Sequence, residues 1–598
     1  MKTQKYSVNQ HLIETIISWV KSDEIAIPEI QRPFVWNASK VRDLLDSLYQ
    51  GYPVGYLIAW RNPSVKLKDG TTSEGKKVLI DGQQRVTALT AAILGQYIIN
   101  SDYKRVKIKI AFNPIEERFE VLNSAIAKDS LWIPDIAPVV SGEIKLMKVI
   151  RNYIDANPGI DEDVIEDSIS NLTDITKKQI GLIELESDLD IEIVTEVFIR
   201  INSKGVVLSQ ADFAMSKIAS NEIFNGPNIR KCIDYFCHLA TSPEFYPTIV
   251  DVDVDFTKTN YFSKIAWLKT ENDDLYDPDY SDLLRVAFTS EFNRGKLSDL
   301  VSLLSGRNFE TRTYEQEIAK ASFEKLDKGI LNFINETNFK RFIMIIKSAG
   351  FINSSLIRSK SVLNFAYILY LKLRSQDYPQ ADIESHVRKW VVMSMLTGRY
   401  SGSPETRFDY DIRQIASRDF PSYLMDIENA ELSDTFWDIR LVQKLNASVS
   451  SNPFLHVFWA AQAKSNDKGF LSKDITVNDL LSHRGDIHHI FPKAYLKKKG
   501  LKMGQYNQIA NYVYMQSEIN IKIGQKPPCD YFAELKDQCN GGKALYGAMD
   551  SLESLEENLK MNCIPDSIYT MTIDNYDEYL EQRRLMMSKK IKDYYATL

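Results

Sequence analysis

Apolar residues recur at helical spacing near the start of the chain, where Leu12, Ile13, Ile16, Ile17 and Val20 predict an amphipathic helix. The next stretch, Ile27-Pro-Glu-Ile-Gln-Arg-Pro-Phe-Val-Trp-Asn, carries two prolines and is excluded from regular helix. Ser39 is then placed to cap a helix whose inward face is Val41, Leu44, Leu45 and Leu48, and Gly51 ends it. Short apolar runs predict strands over 54–60 and 78–80, with a helix starting near Val86. Residues 106–112 and 118–122 read as a hairpin, and 144–154 and 177–185 as helical segments. From 211 to 431 the pattern is mainly helical, with Phe365, Tyr367, Tyr370 and Leu371 at core spacing. A terminal module follows from Phe454, with linker-like composition at Lys464-Ser-Asn-Asp-Lys-Gly and no internal repeat.

Composition adds bounds to this picture. At 598 residues the chain exceeds a single core, and 44% apolar with 26% charged residues is the composition of a folded, multidomain protein. No leader-like apolar segment follows Met1 and no run reaches membrane-spanning length, so the expected compartment is the cytoplasm, with no membrane partner. Five irregularly spaced cysteines suit reduced thiols, and Cys232, Cys237 and His238 lack the second half of a zinc site. Asp251-Val-Asp-Val-Asp alternates carboxylates without a histidine or glycine-turn framework and reads as a solvated loop. Gly70-Thr-Thr-Ser-Glu-Gly-Lys-Lys mimics a phosphate loop, but Lys77 replaces the hydroxyl residue and the segment precedes a strand instead of following one. The net charge of −7 excludes a protein that coats nucleic acid indiscriminately, so any such contact must be local.

Two stretches carry candidate chemistry. In Gly485-Asp-Ile-His-His-Ile-Phe-Pro-Lys, adjacent histidines on an extended segment face opposite sides, which suits either one imidazole toward a metal and the other toward a water, or an ordinary strand with one His buried and hydrogen-bonded and the other solvated. Asn511 and Asn520 follow, and from Arg484 to Lys502 six basic residues stand against one acidic, with Lys493, Lys497 and Lys498 placed to hold phosphates. In the N-terminal half, Asp81-Gly82-Gln83-Gln84-Arg85 joins a buried strand to a helix. Gly82 permits a tight turn, the first helical N–H groups are available, and Arg85 adds a cationic fork, a combination open either to a phosphate or to an ordinary turn capped by Asp81. Leu396-Thr-Gly-Arg-Tyr-Ser-Gly-Ser-Pro, with Arg399, breaks the helical region in the manner of a segment that approaches a ligand or a neighbouring domain.

The C-terminal segment resembles the HNH, or His-Me finger, nuclease module in its HIFP variant. The resemblance implies His489 as general base, Asn511 holding its ring through a hydrogen bond, and His488 with Asn520 as ligands of a divalent metal. Mg²⁺ or Mn²⁺ is the implied cofactor, although His488 stands where many relatives have Asp and an imidazole better suits Mn²⁺, Ni²⁺ or Zn²⁺. The DGQQR loop, Gln31-Arg-Pro-Phe-Val-Trp and the segment Glu196 to Ser209 with Arg200, Asn202 and Gly205 resemble the N-terminal domain of the GmrSD family of modification-dependent (type IV) restriction enzymes. That resemblance implies a ParB/sulfiredoxin-like fold binding and hydrolysing a nucleoside triphosphate, with Asp81, Gly82, Gln83, Gln84, Arg85, Gln31 and Arg32 around the nucleotide.

Together these imply an α+β multidomain chain: a nucleotide-binding α/β domain over 1–210, a helical middle over 211–431, and a ββα-metal nuclease module within helices over 432–598. The implied activity is nucleotide-regulated, metal-dependent cleavage of double-stranded DNA, in particular modified phage DNA, by a possible homodimer. The alternatives are a nucleotide-binding sensor or regulator whose nuclease module only binds DNA, and an RNA-targeting abortive-infection effector.

Overall fold

A computed structural model describes residues 5–22, 24–26, 36–60, 77–99, 105–186, 189, 209–219, 221, 223–271, 273–483 and 485–598. The chain is α+β and forms two compact units, Met1–Pro227 and Asn228–Leu598. Gln31, Arg32, the segment with Arg200, Asn202 and Gly205, most of the Gly70 phosphate-loop mimic, and Arg484 lie outside the described residues.

The first unit is built on a five-stranded mixed sheet in the order β1-β9-β3-β4-β2. Its strands are β1 (Tyr6–Leu12), β2 (Ile25–Ala26), β3 (Tyr56–Trp60), β4 (Lys77–Asp81) and β9 (Gln179–Leu185). Two two-stranded pieces lie between β4 and β9 in sequence: β5 (Ile98–Ile99) with β6 (Arg105–Val106), and the hairpin β7 (Ile110–Asn113) with β8 (Arg118–Val121). Helix α1 (Ile13–Lys21) and helix α3 (Gln83–Ile93) cover the sheet, where Ile16 and Val86 pack on Leu57, Ala59, Leu79, Ile180 and Leu182. Helix α2 (Ala38–Tyr49) buries the expected face of Val41, Leu44, Leu45 and Leu48 in a second core with Phe112 and Phe119 of the hairpin.

The structure corrects several expectations. Residues 177–185 are not helical: 179–185 form β9, which pairs antiparallel with β1 and parallel with β3. Ile180 and Leu182 point into the sheet core at period two, and between them Gly181 receives the Tyr56 ring, which a Cβ would meet at 2.4 Å. The N-cap of α2 is Asn37, whose Oδ1 accepts from Lys40 N at 2.9 Å, in place of Ser39. Helix α3 begins at Gln83 because Gly82 adopts φ +93° and turns the chain within one residue of β4. A Cβ on Gly82 would lie 2.3 Å from Leu57 Cδ2, a fully buried core atom. Gly82→Ala is therefore expected to cost about 1–3 kcal/mol, from left-handed strain and overpacking together, read as a lowered urea midpoint.

The second unit is almost entirely helical. Its middle is organised around Tyr280–Phe292, Gln316–Phe333, Lys360–Ser375 and Gln380–Thr397, with Phe365, Tyr367, Tyr370 and Leu371 buried as their spacing predicts. Arg399 is buried within the helical core and bidentate to Asp411, at 2.9 and 2.7 Å, and Tyr400 and Tyr423 also donate to that carboxylate. The loop's polar residues close the helical core because a buried guanidinium demands such partners. The Asp251 segment is two short helical turns instead of a loop, and Asp253 caps the second by accepting from Phe256 N. All five cysteines are free thiols. Among the described residues no helix is long and apolar enough to cross a membrane.

Candidate active site

The two histidines lie on a short hairpin. Strand β10 (Ile487–His489) pairs antiparallel with β11 (Tyr512–Tyr514) in the register Ile487↔Tyr514, His488↔Val513, His489↔Tyr512. Two residues after β11 the helix Ser517–Ile523 begins, carrying Asn520 in a half-buried position. Between the paired strands the chain forms the short helices Lys493–Lys498 and Met503–Tyr506 and a 3-10 turn at Ile509–Asn511, so the order is strand, two short helices, strand, helix. Side chains alternate across the hairpin, so His489 shares a face with Tyr512, its ring meeting that phenol edge-on at 5.1 Å between centroids, while His488 lies on the face of Val513.

The environments of the two imidazoles differ. Burial holds the His489 pKa down to about 4, with Lys493 and His488 adding to the shift and the hydrogen bond to Asn507 opposing it. The ring is therefore neutral at pH 7 and able to take up a proton. Burial also lowers the pKa of His488, against the opposing charge of Asp486. His488 Nε2 is buried with no hydrogen-bond partner among the described residues. A neutral imidazole with an orphaned nitrogen fits a metal ligand, since a protonated ring cannot bind a cation. Among the described residues no group of three or more His, Cys, Asp or Glu is arranged to hold a cation.

Asn511 does not make the expected bond to the His489 ring. It is fully buried and clamps the chain where it leaves β10: its Oδ1 accepts from Phe491 N at 2.8 Å, its Nδ2 donates to Phe491 O at 3.1 Å, and its own carbonyl accepts from Ile490 N at 3.0 Å. The ring is met by Asn507, whose Oδ1 lies 3.1 Å from His489 Nε2. Arg583 is a second residue that sequence reasoning missed. On the last helix, Tyr576–Ala596, its side chain is fully buried and donates to Ala510 O and Tyr512 O, both at 2.8 Å, and to Asn562 O at 3.2–3.3 Å. It thereby fixes the backbone on both sides of Asn511. No spacing marks either residue, since Asn507 acts across 18 positions and Arg583 across 71 and 73.

Lys493, Lys497 and Lys498 on the helix Lys493–Lys498 are exposed, as are Lys499 and Lys502, and none of the five forms an ion pair among the described residues. Lys493 and Lys497 stand over the Tyr506 ring at 5.6 and 5.5 Å.

In the first unit, Asp81 ends β4, Gly82 makes the turn and Gln83 to Arg85 open α3. Gln83 is buried, and Asp81, Gln84 and Arg85 are half-buried. The Arg85 guanidinium donates to Tyr56 O and lies 3.5 Å from Asp81 Oδ2, so the fork is held in place by the protein itself. A cleft of about 250 Å³ adjoins it, lined by Arg85 with Trp36, Lys40, Asp43, Ser47 and Val54 among others. Lys40 is exposed, and Asp43 is paired with Arg42 at 2.7 Å.

Residues 13–219, a stretch that contains this loop and excludes the histidine hairpin, match the family model described as the N-terminal domain of the GmrSD restriction endonuclease. Over nearly its whole length the chain is also similar to an uncharacterized protein of Methanocaldococcus jannaschii, with 21% identity over 638 residues, 95% of this chain and 96% of that protein.

Proposed function

We propose that the chain is a metal-dependent DNA endonuclease of the restriction type, with a nucleoside-triphosphate site in its first unit and the cleavage site at the His488–His489 hairpin. The observation that carries the reading is the hairpin itself: a neutral, half-buried His489 fixed by one ring hydrogen bond, beside a second imidazole whose buried nitrogen has no partner among the described residues. The N-terminal family match supports a restriction context.

In this reading His489 accepts the proton of the attacking water, and the neutral ring makes that possible at pH 7. Asn511 and Arg583 hold the two strands in register, so the base does not drift. Lys493, Lys497 and Lys498 bind the DNA backbone, giving position without sequence readout. His488 with Asn520 would hold the divalent cation, Mg²⁺ or Mn²⁺. When bound, such a cation stabilises charge on the scissile phosphate and on the leaving 3′ oxygen.

Arg85 and Asp81, with Gly82, Gln83 and Gln84, form the nucleotide end of the reading, and the cleft toward Trp36 and Lys40 provides room beside it. Binding there controls cleavage by favouring one of two states of the protein. The chain acts in the cytoplasm on foreign, modified DNA, where uncontrolled cutting would damage the host. Cleavage of plasmid and of modified phage DNA, with and without nucleoside triphosphate, tests this. We expect Arg85→Ala to lose nucleotide binding by at least about tenfold, since a charge-assisted contact is removed, and to abolish the nucleotide dependence of cutting. Equal cutting of all substrates with and without nucleotide would sink both the gating and the modified-DNA preference.

A further inference from the structure

We infer that Asn507 is the positioning residue that fixes the ring orientation and tautomer of His489. The inference rests on the nuclease reading above and gives to Asn507, a residue outside the histidine motif, the ring contact that Asn511 does not make. With Asn507 Oδ1 accepting, His489 Nε2 carries the ring proton and the lone pair is on Nδ1. Nδ1 makes no hydrogen bond among the described residues, which leaves it the nitrogen that receives a proton from water.

The acceptor is held by an anchored loop. Asn507 N donates to Met503 O at 3.0 Å, ending the short helix Met503–Tyr506. On one side, Tyr506 O accepts from Asn511 Nδ2 and from Tyr576 OH, each at 3.4 Å. On the other, Gln508 Oε1 accepts from Arg584 at 3.2 Å, and Ile509 N donates to Ala447 O at 2.8 Å. With its neighbours fixed on both sides, the Asn507 side chain reaches the ring from a pre-set position, and its amide keeps the ring from turning the protonated nitrogen toward water. A wrong tautomer leaves the pocket intact and removes the base.

The test uses the full chain and compares Asn507→Leu, which removes the acceptor at similar volume, with Asn507→Asp, which retains an oxygen at the same place. Cleavage of supercoiled plasmid is measured with Mn²⁺, together with melting temperature. We expect Asn507→Leu to lower kcat about a hundredfold with KM within about twofold and melting unchanged, and Asn507→Asp to stay within about tenfold of the parent. If Asn507→Leu fails to fold, Asn507→Ala takes its place. Full activity in the Leu variant, an equal loss in Leu and Asp variants, or a loss confined to KM overturns the inference. His489→Ala is the arm that separates the two failures. If it cuts as the parent does, the base assignment itself is wrong. If it is inactive while Asn507→Leu is fully active, only the role of Asn507 falls.

Discussion

His489→Ala is expected to lower the rate of DNA cleavage by about 10²–10⁴-fold, the usual contribution of a general base, while leaving the fold intact. The fold should survive because, among the described residues, the ring makes a single hydrogen bond, to Asn507, and one edge-on contact, to Tyr512. Circular dichroism and the melting temperature should match the parent, and nucleotide binding in the first unit should be unchanged. Phage protection in cells should disappear with the cleavage activity. Protection that survives the substitution would favour the alternative of a nucleotide-binding sensor whose hairpin only binds DNA. Degradation of RNA in preference to DNA would favour the abortive-infection alternative.

Arg583→Met is expected to produce the largest loss of stability in the second unit. The guanidinium is fully buried and its partners among the described residues are three backbone carbonyls, of Ala510, Tyr512 and Asn562. Methionine fills the space but donates nothing, and each buried acceptor deprived of its donor costs about 1–3 kcal/mol. The sum is a loss of about 3 kcal/mol or more, measured by urea unfolding followed by tryptophan fluorescence. Cleavage should fall as well, because the freed carbonyls flank Asn511, which clamps Phe491 at the exit of the histidine strand. Arg583→Lys should lie between the two: it keeps the charge but cannot span three carbonyls with a planar fork. A change of less than about 1 kcal/mol in Arg583→Met would show that water or rearranged backbone replaces the guanidinium.

The parts of the fold that the sequence made legible are those whose periodicity reports burial directly. The face Val41, Leu44, Leu45 and Leu48 of α2 and the aromatic core of Lys360–Ser375 are read at the correct spacing because each helix has one apolar side or is apolar throughout. Strand β9 was not legible, since a seven-residue run with three buried positions, Ile180, Leu182 and Leu185, looks alike as strand or short helix until β1 and β3 are present to pair with it. Strand β1 is exposed over most of its length, so the sparse alternation of Tyr6, Val8 and Leu12 marks no buried face.

For the candidate site, the histidine pair, the two downstream asparagines and the DGQQR turn were legible through their order and their resemblance to known modules. The partners of those residues were not. Asn511 and Asn507 are both polar residues in the same short stretch, and nothing local distinguishes the one that clamps backbone from the one that meets the imidazole. Arg583 sits in a helix rich in charge, Glu581-Gln-Arg-Arg-Leu, where a solvated arginine is the natural reading; only the fold places Arg583 against three carbonyls and leaves its neighbour Arg584 to reach Gln508. Long-range hydrogen bonds of this kind leave no periodic trace.

The central claim, that the His488–His489 hairpin is a metal-dependent DNA cleavage site, is tested most directly by nicking of supercoiled DNA with the purified chain. The parent protein should convert supercoiled to open-circular and linear DNA in the presence of Mg²⁺ or Mn²⁺, and should stop when the metal is chelated. His489→Ala, folded and metal-supplied, should leave the DNA supercoiled. Cleavage by His489→Ala at the parental rate, or cleavage by the parent that continues under chelation, would contradict the account.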